Sequence, residues 1–127
     1  MNSSSRLLRA WGAATQTASV AVPVAAKPAS RTAWALASVP LTDAAFVNAV
    51  VTATEAKAQA VLEAGFAATG TATDAICIAA PHARKSREEE FTGPRSVWGA
   101  RIARAVHAAV HAGAVGYAAT LDRGRTR

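Results

Sequence analysis

A single cysteine, Cys77, stands in this chain of 127 residues, so an intrachain disulfide and a multi-cysteine zinc site are both excluded, and a reducing compartment fits. Aromatic residues are scarce at 6%, which leaves the core to be built from Ala, Val, Ile and Leu and makes it thin. No uninterrupted apolar stretch approaches the roughly 18 residues that a membrane-spanning helix needs. Acidic residues are also few. Eight Asp and Glu against fourteen Lys and Arg give a net charge of +6, a balance that favours anionic partners without selecting one. What abounds is small apolar surface: hydrophobic residues make up 51% of the chain and charged ones 17%, which excludes global disorder. A mass of 13.0 kDa allows one hydrophobic core and not two.

Residues 1–31 are low in complexity, and Pro23 and Pro28 break any long helix. No firm element is assigned there, and partial disorder is expected. Arg6 and Arg9, followed by an Ala/Val/Thr-rich run to Ala26, have the outline of a secretory signal, but Thr15, Gln16, Thr17 and Ser19 interrupt its apolar section. The expectation is a soluble, cytoplasmic protein. Basic residues gather at Arg84, Lys85 and Arg87, offset by Glu88, Glu89 and Glu90, and again over residues 123–127. Both groups read as solvated loop and tail, and the absence of aromatics within the basic tail argues against nucleic acid.

Residues 32–39 read as a short strand closed by Pro40, after which Thr42 stands as N-cap with Asp43 in the first turn of a helix. That helix is predicted over residues 43–64, stopping at Gly65, with Val47, Val50, Val51, Thr54, Ala58, Val61 and Leu62 as its buried stripe. Asn48, Thr52, Glu55 and Gln59 then line one border and Lys57 lies near the other, so Glu55 is expected to be half-buried. Thr69 to Asp74 read as a turn and residues 75–80 as a strand. Residues 81–93 read as a surface loop anchored by Phe91. A second helix begins near Ser96, buries Trp98, Ile102, Ala105, Val106, Ala109 and Val110, and stops at Gly113, leaving residues 114–127 as a basic tail. The fold class is α/β: a mixed two-layer sheet-and-helix domain of βαβα order over residues 32–112, incomplete as a sheet unless more strands join it. A right-handed crossover follows if the strands are parallel.

Four segments in uninterrupted order carry a resemblance: 41–50 (LTDAAFVNAV), 52–57 (TATEAK), 68–75 (ATGTATDA) and 93–106 (GPRSVWGARIARAV). Together they resemble the C-terminal half of adenosylcobinamide amidohydrolases over about residues 32–112, and four linked motifs are far more specific than any one. Residues 1–31 show no match to the substantial N-terminal portion that such proteins usually carry. The resemblance implies hydrolysis of the amide joining the corrin side chain to aminopropanol, giving adenosylcobyric acid in corrinoid salvage. The alternative is a truncated, catalytically silent fragment that binds corrinoid or another copy of itself.

Amide hydrolysis needs an activated water or nucleophile, a stabilised oxyanion and a proton for the departing amine. Glu55 and Asp74 are the candidate base and acid, since paired carboxylates in unlike environments divide those roles. The plainer reading gives Glu55 a neighbouring cation or backbone donors and makes Asp74 the cap of a turn. A corrinoid presents many amides, which the short polar groups of Asn48, Thr71 and Thr73, with the backbone at Gly70, would suit. Lys57 joins this substrate-binding set. Arg95, in the fourth family-like segment and before a helix N-terminus, is a further substrate contact. His107 and His111 have the i, i+4 spacing that can chelate zinc but lack the metalloprotease Glu, so they read as solvated surface beside Arg101 and Arg104. Cys77 reads as a small core residue. The expected partner is a corrinoid substrate, with no nucleic acid and no membrane; a homo-oligomer is allowed, and neither cofactor nor metal is called for.

Overall fold

The computed structural model describes residues 32–72, 74–83 and 87–125; the expectations for residues 1–31, Thr73, Arg84 and Lys85 fall outside them. Four elements follow in order, β1 (Thr32–Leu36), α1 (Asp43–Glu63), β2 (Ala75–Ala79) and α2 (Val97–Arg125). The two strands pair in parallel, Thr32 opposite Ala75 and Leu36 opposite Ala79, so α1 is the crossover that carries the chain back between them. The small mixed α/β domain expected from the sequence is what forms.

Alternation along the strands puts Ala33 and Ala35 of β1 on one face. The register sets Ile76 and Ile78 of β2 beside them, large side chains against small. This face packs on Ala49, Ala53, Ala56, Ala60 and Val61 of α1 and on Ile102, Val106 and Val110 of α2. A smaller cluster of Ala37, Leu41, Ala45 and Trp98 closes the end where the strands finish. There the chain is pinned as well, because Thr42 N–H donates to the Glu89 carbonyl at 3.0 Å and Glu89 N–H to the Pro40 carbonyl at 2.9 Å.

α1 starts and stops where its sequence signals say. Thr42 Oγ1 accepts from Ala45 N–H at 3.2 Å, satisfying one of the donors that a helix N-terminus leaves free. After Ala64, Gly65 turns the chain at a φ of +88°, a conformation that costs a side-chain-bearing residue strain. Its buried stripe is another matter. Val47, Val50, Val51 and Leu62, predicted to be inside, are 65%, 41%, 51% and 51% exposed, while Ala45, Ala49, Ala53 and Ala60 are wholly enclosed. The physical reason is space: α1 lies against α2 and the sheet together, and alanines let its backbone come close to both, where a row of valines would hold them apart.

α2 also departs from expectation. It runs straight through Gly113 to Arg125. A mid-helix glycine costs only about 1 kcal/mol relative to alanine, and beyond it Ala114 is buried and Tyr117 stacks on Phe66 with ring centroids 6.3 Å apart. The anchor of the preceding loop is Thr92 rather than Phe91. Phe91 is exposed and Thr92 fully buried; the Thr92 hydroxyl donates to the Ala45 carbonyl, and Thr52 Oγ1 donates to the Thr92 carbonyl at 2.9 Å. Thr92 thus meets one α1 group with its hydroxyl and another with its backbone carbonyl, and a phenyl ring could not make the first of these contacts.

Candidate functional site

Lys57 projects from the side of α1 that faces β2, and it is buried, with 6% of its surface exposed. Its Nζ donates to Asp74 Oδ2. Asp74 is the last residue before β2 and closes the turn that feeds it: Oδ2 also accepts from Thr71 N–H at 2.8 Å, Oδ1 accepts from Thr71 Oγ1 at 2.7 Å, and Asp74 N–H donates to the Thr71 carbonyl at 3.1 Å. Gly70 is required beside this pair, because a Cβ there would fall on Asp74 Oδ2 and Lys57 Nζ. Burial pushes the Asp74 carboxyl up, but the hydrogen bonds from Lys57 and Thr71 outweigh it and hold the carboxyl below its ordinary value. The result is an ionised carboxylate fixed against a buried cation, with the Thr71 hydroxyl at the exposed edge.

The other expected site residues stand apart from this cluster. Glu55 is exposed rather than half-buried. It lies two residues from Lys57 on α1, which at about 100° per residue turns it to the opposite side of the helix, away from Asp74. The two carboxylates expected to share the chemistry are therefore not brought together. Asn48 is half-buried and shares Glu55's side of α1, two turns nearer the N-terminus. Arg95 is exposed in the turn before α2. Thr73 lies outside the described residues. The plainer reading of Asp74 as a turn cap holds in full, with the cation of Lys57 added to it.

A second polar cluster was not visible in the sequence as such. His107 Nε2 stands 2.6 Å from Glu63 Oε2, joining the last turn of α1 to the middle of α2, and the ring of His111 stacks on His107 with centroids 5.8 Å apart. Gln59 Nε2 donates to Glu63 Oε1 at 2.6 Å. That bond, and next the contact with His107, keep the Glu63 carboxyl below its ordinary value. The two histidines are half-buried, a helix-to-helix clasp in place of the free surface expected. The Gln59 and Glu63 spacing of i, i+4 is readable on α1, but the partner helix is not. Arg101 lies over the Trp98 ring at 4.6 Å, and Cys77 is half-buried in β2. Among the described residues no group of three His, Cys, Asp or Glu side chains is arranged to hold a metal ion, and no described helix is long and apolar enough to cross a membrane.

The Lys57–Asp74 pair and its turn fall within two of the four sequence segments that carry the resemblance, and comparison with known proteins supports it. A curated adenosylcobinamide amidohydrolase from Methanosarcina mazei is 35% identical over 80 residues, which cover 58% of this chain and 40% of that enzyme. The chain thus spans less than half the length of the relative it matches. No solved structure matches it. The family model described as adenosylcobinamide amidohydrolase matches residues 12–120. That match begins ahead of Thr32 and so extends beyond the four segments that carry the resemblance. With most of its length inside that match, the chain belongs to the adenosylcobinamide amidohydrolase family.

Proposed function

We propose that this protein hydrolyses the aminopropanol amide of adenosylcobinamide to give adenosylcobyric acid, and that Asp74 and Lys57 form its working pair. The observation that carries this reading is the buried Lys57–Asp74 contact, built from two segments of the family match. Asp74, held ionised by Lys57 and Thr71, is free to accept a proton from the attacking water and then holds the proton that the departing amine needs. The Lys57 ammonium supplies positive charge where the tetrahedral oxyanion develops, in a site with little water to screen it. As the intermediate collapses, the carbon–nitrogen bond breaks and the proton held at Asp74 passes to the departing amine. Thr71, Thr73 and the Gly70 backbone bind the amides of the corrin, and Arg95 contacts the substrate from the turn before α2, while Asn48, on the side of α1 away from the pair, stands outside this set. An acid–base division between Glu55 and Asp74 has no support from a geometry that turns them to opposite sides of α1.

The test incubates the full chain with adenosylcobinamide and follows adenosylcobyric acid and aminopropanol by mass spectrometry. Asp74→Asn and Lys57→Met, checked for folding by circular dichroism, are expected to lose about 10²- to 10⁴-fold in turnover, the usual worth of a positioned acid or base. Glu55→Gln is expected to stay close to the parent; a comparable loss there would restore the two-carboxylate scheme and refute the pair assigned. A second reading is favoured by the match covering only 40% of the relative's length: a corrinoid-binding protein without turnover. A folded parent that binds adenosylcobinamide and releases no product would establish that reading instead.

A further inference from the structure

An ionised carboxylate only accepts hydrogen bonds, so the direction of every bond at Asp74 is fixed. Each of its oxygens has room for about two donors. Oδ2 has both, the Lys57 ammonium and the Thr71 N–H at 2.8 Å. The Gly70 backbone lies over the same oxygen and the ammonium, so near that a Cβ added there would collide with both. Oδ1 has one donor among the described residues, the Thr71 hydroxyl at 2.7 Å. The carboxylate is therefore closed at Oδ2 and has one place left at Oδ1, beside the exposed Thr71. We propose, resting on the amidohydrolase reading above, that Asp74 Oδ1 is the atom that takes the proton of the attacking water, and that Thr71 is the positioning residue that turns this oxygen to the substrate.

The two oxygens then divide the work. Oδ2, with the cation on it, anchors the carboxylate, and Oδ1 exchanges the proton. Water held at Oδ1 gives up a proton to it as the water oxygen bonds to the amide carbon. When the carbon–nitrogen bond breaks, that proton leaves Oδ1 for the departing nitrogen, and Asp74 ends as it began. Thr71 grips the carboxylate by two bonds at once, backbone to Oδ2 and hydroxyl to Oδ1, which fixes the carboxyl plane in a way that a single bond does not. The same grip spends the hydroxyl's one proton. Toward any further partner Thr71 Oγ1 accepts, so a substrate amide that meets this hydroxyl meets it through N–H and not through its carbonyl. The amide cut in the proposed reaction carries an N–H on the nitrogen that departs, and Oγ1 stands 2.7 Å from the atom that must deliver a proton to that nitrogen. An N–H donated to Thr71 thus brings the leaving group beside Oδ1.

The test compares the full chain with Thr71→Ser, which keeps the hydroxyl, and Thr71→Val, which keeps the shape and the backbone N–H and loses the hydroxyl. Turnover of adenosylcobinamide is followed across pH, and the Asp74 carboxyl is titrated separately by carbon-13 NMR. Thr71→Val is expected to lose about 10- to 100-fold in kcat, the scale of a misplaced catalytic group. The acid limb of its kcat/KM profile, which reports the base of the free enzyme, is expected to move to higher pH together with the NMR midpoint, because a hydrogen bond to the charged form is gone. Thr71→Ser should stay close to the parent in all three. A domain merely loosened by the valine would lose activity by one factor at every pH and leave the limb in place; that result, or a loss confined to KM, overturns the role given to Thr71. The two readings fail separately. A folded parent that releases no aminopropanol overturns the amidohydrolase reading and the proton path with it, whereas turnover with an unmoved limb and an unmoved NMR midpoint overturns the positioning alone.

Discussion

In Lys57→Met the side chain keeps its length and apolar stem while its charge is lost, leaving the Asp74 carboxylate in a position where its side chain is 9% exposed. Breaking a buried pair by removing one partner costs about 3–5 kcal/mol. Asp74 retains its two bonds from Thr71, at 2.8 Å and 2.7 Å, so a loss nearer to about 2–3 kcal/mol is expected. Small domains have only about 5–15 kcal/mol in all, and each kilocalorie moves the midpoint by about 4–8 °C. The variant should therefore melt roughly 10–20 °C below the parent, and urea titration followed by far-ultraviolet circular dichroism measures the free energy directly. Acid provides the decisive second arm. The folded Asp74 carboxyl lies below its ordinary value of 3.8, so in the parent its contribution is present above that value and lost as pH falls through the depressed one. Without Lys57 the opposing effect of burial weighs more and the folded value rises. The gap between parent and variant should narrow as pH falls from 7 to below 3.8. A difference under about 0.5 kcal/mol at neutral pH, the range of an ordinary surface change, or a gap that ignores pH, would refute a buried ion pair at this position.

Two further contrasts test the packing. A Cβ on Gly99 would run into the carbonyls of Gly93 and Thr92, so Gly99→Ala should push the 91–96 loop off α2 and destabilise by about 1–3 kcal/mol in urea titration. Gly113, inside α2 with nothing within 4 Å of its added Cβ, should show the reverse, with Gly113→Ala stabilising by about 0.5–1 kcal/mol in the same assay. Thr52→Val leaves the buried Thr92 carbonyl without its side-chain donor and should cost about 1–3 kcal/mol, read as a lowered urea midpoint.

Local chemistry made the element boundaries readable. Thr42 and Asp43 signal a helix start, Gly65 its end, and Pro81 closely follows the end of β2, each through a constraint acting over a few residues, whereas β1 ends at Leu36, short of the Pro40 expected to close it. The inward face of α1 was not readable by the same means. Hydrophobicity ranks valine above alanine, but a helix lodged between a sheet and a second helix is selected for slimness, and only the tertiary contacts reveal that it is so lodged. Gly113 misled for a related reason: its local cost is small, and the packing of Ala114 and Tyr117 that outweighs it comes from elsewhere in the chain.

The site was readable in its parts and not in their pairing. Thr71 and Asp74 stand three apart, a spacing that lets the side chain meet the backbone and close a turn by itself. Lys57 finds Asp74 across 17 residues, through the connection from α1 to β2, and no periodicity along one helix encodes that meeting. The short run from Glu55 to Lys57 illustrates the point. Two charges of opposite sign, two residues apart, cannot form a pair on a helix, because that spacing turns them about 200° from one another. Each must therefore answer to something else. Lys57 answers to Asp74, which makes its burial tolerable, since a buried ammonium without a carboxylate would lose more in desolvation than its stem gains by packing. Glu55 has open surface on the other side, beside a stripe of exposed valines.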